Sequence, residues 1–158
     1  LDRVVLPVGG GGLIAGMAAA IRKMSPDTLI IGVEPEGANS LSRSFASGRP
    51  ETLDSINTIA DSLGAPMALA ESMTLARENV DELITIPDSL MADTMLLMRH
   101  TLNIVAEPAC TASLGSVLGP LRKRAAGKRV GVLACGSNIG SERFEAYTSG
   151  ARMPMPPV

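Results

Sequence analysis

The sequence predicts a three-layer α/β fold, a mostly parallel sheet with helices on both faces. Three observations carry that expectation. Short apolar runs of strand length alternate with segments whose apolar residues recur every three or four positions. A run of four glycines, Gly9 to Gly12, joins the first such strand directly to the first such helix. Finally, 46% of the residues are hydrophobic, yet the chain has two Phe, one Tyr and no Trp, so the core is aliphatic and rich in methionine. At 158 residues the chain has the size of one domain with room for a substantial core.

The elements follow in order. A strand is expected near 3–8 and a helix near 13–24, with Leu13, Met17, Ala20, Ile21 and Met24 on its buried face. A strand near 28–33 completes a βαβ unit. A short helix over 40–46 leads through Gly48-Arg49-Pro50 into a long connection that ends at Pro66. A connection of that length is either functional or hides further structure. The pattern then gives a helix over 66–79, a strand over 81–86, and a long helix from 88 to about 104. Asp88 or Ser89 caps this helix, and Met91, Met95, Met98, Leu102 and Val105 form its buried stripe. A Met stripe at this spacing reads as core. A small-residue helix follows Glu107-Pro108-Ala109 and ends in Arg122-Lys123-Arg124, charges that suit a helix C-terminus. The last strand, 130–134, delivers Cys135-Gly136-Ser137-Asn138 at its carboxyl end, where parallel α/β sheets bind ligands. Residues 1–150 read as one folded unit and 151–158 as a disordered tail.

Composition excludes several functions. A net charge of −2 with scattered basic residues and almost no aromatic platform argues against nucleic acid. No stretch is long and apolar enough to span a membrane, and the opening residues are no signal peptide. The two cysteines, Cys110 and Cys135, make neither a disulfide framework nor a metal-ligand spacing, which fits a reducing, cytoplasmic setting. His100 has no partner at ligand spacing and reads as a surface or packed residue.

The glycine run is the most informative feature. Glycines that turn through φ > 0 bring bare N–H groups close to a ligand, and the helix that follows adds its positive N-terminal end. An anion is therefore expected at Gly9, Gly10, Gly11, Gly12 and Leu13. A dinucleotide is one candidate, because Gly10-Gly11-Gly12-Leu13-Ile14-Ala15 satisfies G-x-G-x-x-A and Glu34 sits where a ribose-binding carboxylate would. That reading explains neither Glu107-Pro108-Ala109 nor Cys135-Gly136-Ser137-Asn138.

Taken together, the glycine loop, Val33-Glu34-Pro35-Glu36-Gly37-Ala38, Thr58-Ile59-Ala60-Asp61, Glu107-Pro108-Ala109 and Cys135-Gly136-Ser137-Asn138 resemble, in the same order, the motifs of the threonine and serine dehydratases. These are pyridoxal-phosphate (PLP) enzymes of fold type II, similar to the tryptophan synthase β subunit. The resemblance covers nearly the whole chain as the C-terminal part of such an enzyme's PLP-binding catalytic domain. It implies PLP as cofactor, its phosphate on Gly9 to Leu13 and its pyridine nitrogen against Cys135. A neutral thiol there leaves the nitrogen largely unprotonated and favours loss of the β-hydroxyl from L-serine or L-threonine, giving a 2-oxo acid and ammonia. Ser62, Glu107 and Asn138 would lie near the cofactor. Glu107 is open between a helix cap and a carboxylate close to the reacting nitrogen.

The departures are as specific as the matches. The family's Schiff-base lysine lies in a Ser-x-Lys motif N-terminal to the glycine loop, and none of Lys23, Lys123 or Lys128 matches it, so no catalytic residue is assigned within the chain. The groups that grip the substrate carboxylate also belong to an upstream half. The chain opens without Met and enters a buried strand at once, which reads as a piece of something longer that is a homo-oligomer when intact, with strand residues such as Val4, Leu6 and Ile31 facing missing elements. Some members bind a divalent cation through the residues matching Glu34 and Ala38 and an acidic residue at the place of Ser40. Ser40 lacks that charge, and no metal site is assigned. Ser62 replaces a glycine common after Ala-Asp, narrowing the pocket or supplying a hydrogen bond. Readings that compete with an ammonia-lyase are a serine racemase on the same scaffold, an NAD-dependent oxidoreductase, and a non-catalytic remnant that keeps the loop as an anion-binding module.

Overall fold

The computed structural model describes residues 1–153; most of the expected disordered tail, 154–158, lies outside the described residues. Four strands form one sheet, β1 (Arg3–Pro7), β2 (Leu29–Pro35), β3 (Glu82–Ile86) and β4 (Val130–Val132), in the order β3-β2-β1-β4. Every neighbouring pair is parallel. Helix α1 (Gly12–Met24) carries the crossover from β1 to β2, and α2 (Ser40–Ser47) and α3 (Ala70–Asn79) lead to β3. Helices α4 (Asp88–Thr101), α5 (Pro108–Leu118) and α6 (Arg122–Ala125) lead to β4, and α7 (Ser141–Thr148) follows it.

The alternation along β1 shows how the layers form. Val4 and Leu6 pack with Ile14, Ala15 and Ala18 of α1 and Met73 and Ala76 of α3 on one face. Val5 points the other way, into a cluster with Met91 of α4 and Ala109 and Ala112 of α5. A strand buried on both sides reads as a continuous apolar run, as this one does. The expected three-layer α/β fold is present. Val4, Leu6 and Ile31 are nevertheless buried (8%, 0% and 0% exposed), against the expectation that they are left open, although Val4 and Leu6 line a groove beside β4. What stays open is a groove of about 340 Å³ beside β4, whose lining includes Leu1, Met17, Ile21, Met24, Val132 and Leu133.

That groove also corrects the predicted face of α1. Its fully enclosed residues are Ile14, Ala15 and Ala18, whereas Leu13 is 47% and Met24 76% exposed. The small alanines let the helix lie close on the sheet, and Met17, Ile21 and Met24 turn toward the groove beside β4. Helix α3 starts four residues later than predicted, because the chain is held extended by a bridge from Thr52 to Met67 and by Leu53 N–H donating to Pro66 O (2.8 Å). Asp88 does not cap α4. Its carboxylate instead accepts Thr58 Oγ1 (2.6 Å) and Ile59 N–H (2.8 Å), tying the long connection to the start of α4. Met91, Met95 and Met98 are buried as expected, but α4 ends at Thr101 with Asn103 in the left-handed region (φ 56°), which leaves Leu102 and Val105 exposed. The predicted small-residue helix is two helices, since Pro120 cannot continue α5.

Candidate functional site

The carboxyl ends of β1 and β4, the N-terminus of α1, the turn Asp61–Leu63 and the N-terminus of α5 converge on one side of the sheet. Between them lies a cavity of about 170 Å³ lined by Gly9 to Ile14, Ser62, Leu63, Glu107, Ala109 and Cys135. An adjoining cavity of about 110 Å³ shares Ser62, Glu107 and Ala109 and adds Asp61, Asn138, Arg143 and Tyr147. Of the predicted residues, the glycine loop, Ser62, Glu107 and Cys135 therefore meet in one cavity, and Asn138 lines the next.

The glycines do different work. Gly11 alone in the run has positive φ (84°), and it stands at the N-cap of α1. Gly9 is needed for proximity: a Cβ there would lie 3.1 Å from Leu63 Cα and from Ser62 O, so the loop and the Asp61–Leu63 turn touch backbone to backbone. No side chain caps α1 and its first turn has no acidic residue. Its leading amides are thus left for an anion in the cavity, with the helix dipole adding to the attraction.

Glu107 holds the N-cap position of α5, yet its side chain makes no capping hydrogen bond. Oε1 instead accepts Ser62 Oγ (3.0 Å), a partner 45 residues away. The carboxylate lies over Gly136 (φ 117°), where any Cβ would collide with it. The side chain of Glu107 thus does not cap α5, and its carboxylate lines the cavity. Burial, and then the Glu107 carboxylate, push the Cys135 thiol above its ordinary value, so it is neutral at physiological pH. Cys110, buried behind it, is pushed up to about 11, chiefly by burial. With no ligand added, alkylation of Cys135 by iodoacetamide should therefore have its midpoint above the usual thiol value of about 8.5. Glu107→Gln should lower that midpoint, and peptide mass spectrometry across pH checks both.

Glu34 is withdrawn from ligand duty. It is fully buried, and its carboxylate accepts Leu41 N–H and Ser42 N–H (both 2.8 Å) and the Ser42 hydroxyl, closing the N-terminus of α2. It is thus no ribose ligand, and its oxygens are taken up by donors that a cation would have to displace. Among the described residues no three His, Cys, Asp or Glu cluster as a metal site. Sequence reasoning missed Arg143 and Tyr147, on a helix it did not predict. Arg143 donates to Asp61 (2.7 Å) and Tyr147 (2.9 Å) at the cavity rim. The signal there was weak, an acidic first turn with Phe144 and Tyr147 as a sparse apolar face.

Residues 1–136 match the family described as pyridoxal-phosphate dependent enzyme. The chain belongs to that family. It is 44% identical over 147 residues to phenylserine dehydratase of Ralstonia pickettii, covering 93% of this chain and 45% of the relative. It is 35% identical to L-threo-3-hydroxyaspartate ammonia-lyase of Saccharomyces cerevisiae, with 95% and 46% covered. The crystal structure of T.th. threonine deaminase superposes with a TM-score of 0.82 at 32% identity, covering 88% of this chain and 46% of that one. The chain thus spans about half the length of the relatives it matches. As a member of the pyridoxal-phosphate family it has fold type II architecture and PLP as its cofactor, which removes the NAD-dependent reading.

Proposed function

We propose that this chain is the C-terminal part of a PLP-dependent ammonia-lyase that converts L-serine, L-threonine or a related 3-hydroxy amino acid to a 2-oxo acid and ammonia. The observation that carries the reading is the single cavity in which an uncapped helix N-terminus, a neutral thiol and a carboxylate face one another. PLP, when bound, supplies an electron sink for charge developing at the substrate Cα. The amides of Gly9 to Leu13 would hold its phosphate. Cys135 would meet the pyridine nitrogen as a neutral group, leaving it unprotonated and so favouring departure of the β-hydroxyl over prolonged charge at Cα. Glu107 would hold or release a proton at the departing hydroxyl or the amino nitrogen, being placed beside the cavity by the turn into α5. Water is lost across Cα–Cβ and regained in hydrolysis, so the net change is amino acid to 2-oxo acid plus ammonia. The Schiff-base lysine and the substrate-carboxylate ligands would come from outside these residues.

The test is ammonia and 2-oxo acid release from L-serine, L-threonine and L-threo-3-phenylserine by the native polypeptide that carries this chain, loaded with PLP. Cys135→Ser should keep elimination within about threefold, since it supplies another neutral partner, while Cys135→Asp should lower it by about tenfold or more through protonation of the ring. Equal kinetics for wild type and the Asp variant would place the side chain away from the cofactor. Interconversion of L- and D-serine without ammonia release would make the protein a racemase.

A further inference from the structure

Ser62 is tied at both ends. Its carbonyl lies against Gly9 closely enough that a Cβ on that glycine would stand 3.1 Å away, and its turn is locked by Leu63 N–H donating to Ala60 O (2.8 Å) and Gly64 N–H to Asp61 O (3.0 Å). The backbone is thus fixed relative to the phosphate loop, while Oγ reaches Glu107 Oε1 at 3.0 Å. On the other side Glu107 is bounded by Gly136, and its own N–H donates to Gly136 O (3.4 Å). Among the described residues Ser62 Oγ is the one protein donor to this carboxylate. The pair stands in the wall common to the two cavities.

We propose that Ser62 is a positioning residue whose hydroxyl holds the Glu107 carboxylate in that wall, fixing the place from which Glu107 exchanges protons with the amino-acid substrate. The inference rests on the PLP ammonia-lyase reading for the role of Glu107, and on geometry alone for the coupling of the two side chains. A glycine at 62 leaves the carboxylate without its donor and free to change rotamer, and the cavity loses a defined proton site. A threonine keeps the hydroxyl. Because the turn is held by its own backbone hydrogen bonds, removing the side chain leaves the phosphate loop in place.

The experiment compares Ser62→Gly, Ser62→Ala and Ser62→Thr in the native polypeptide that carries this chain. With PLP bound, the Gly and Ala variants should lose about tenfold in kcat with KM within roughly twofold and an unchanged PLP absorption band, and Thr should recover most of the loss. In the PLP-free protein, Ser62→Gly should move the pH midpoint of Cys135 alkylation downward, as Glu107→Gln does, because the carboxylate no longer stands beside the thiol. Wild-type kcat in the Gly variant, or failure of Thr to restore what Gly loses, would overturn the proposal. An unchanged alkylation midpoint in Ser62→Gly would overturn it too. That arm needs no turnover, so it separates failure of this inference from failure of the ammonia-lyase reading, which would show as a wild type that releases no ammonia.

Discussion

Gly11→Val in the native polypeptide that carries this chain should lower PLP affinity by at least about a hundredfold. Gly11 occupies the left-handed region at φ 84°, where a residue with a Cβ pays about 1–2 kcal/mol and a β-branched one more. The backbone escapes by rotating, and rotation swings the leading amides of α1 away from the cavity. Two charge-assisted hydrogen bonds lost at about 1.5–3 kcal/mol each give the stated factor. Gly16→Ala is the control. It lies exposed in the middle of the same helix with nothing within 4 Å of a new Cβ, so it should stabilise the protein by about 0.5–1 kcal/mol and leave PLP binding alone. Absorption titration with PLP measures both variants. Unchanged affinity in Gly11→Val would make the loop a structural connector.

The second large effect concerns covalent attachment. Incubated with PLP and reduced with borohydride, the 158-residue polypeptide should carry no stoichiometric, site-specific label on Lys23, Lys123 or Lys128. All three are exposed. Lys23 is in the last turn of α1, Lys123 in α6 and Lys128 just before β4, so all lie toward the amino ends of the strands, whereas the glycine loop follows the carboxyl end of β1. An amine there cannot reach a carbonyl whose phosphate sits on Gly9 to Leu13. The isolated polypeptide should also associate through the groove along β4, where apolar area remains in water at about 25 cal/mol per Å². Tryptic mapping after reduction and sedimentation velocity check the two statements. One lysine labelled at full stoichiometry, with ammonia released from serine, would show a complete enzyme in these residues.

Sequence periodicity found every strand of the sheet and the spans of α1, α2, α4 and α5, though not the buried face of α1, because strands buried on both faces and helices with a repeating apolar stripe leave local signatures. It failed where distant contacts decide. Pro66 to Leu69 looked helical, but Thr52 and Leu53 hold that segment extended. Asp88 had the chemistry of a cap, and its carboxylate was claimed by Thr58 and Ile59 from a connection thirty residues upstream. The site divides the same way. Gly9 to Leu13 and Cys135 could be read from residue type and position at strand ends. That Glu107 meets Ser62, and that Arg143 closes on Asp61, depends on how α5 and α7 pack, which no local pattern encodes.

The pairing of β1 with β4 has a kinetic consequence. Asp2 N–H donates to Arg129 O at 2.9 Å and Arg129 N–H to Asp2 Oδ2 at 2.7 Å, a closure across 127 residues, whereas β1 with β2 and β2 with β3 close over far shorter stretches. During synthesis the glycine loop can therefore form with the first βαβ unit, well before the last strand exists, and long-range closures of this kind are the slow ones. Cys135 and Asn138 arrive only when β4 docks. Refolding followed at the early strands by hydrogen-exchange labelling should run ahead of refolding followed at Cys135, so that an intermediate with the glycine loop formed precedes the completed cavity.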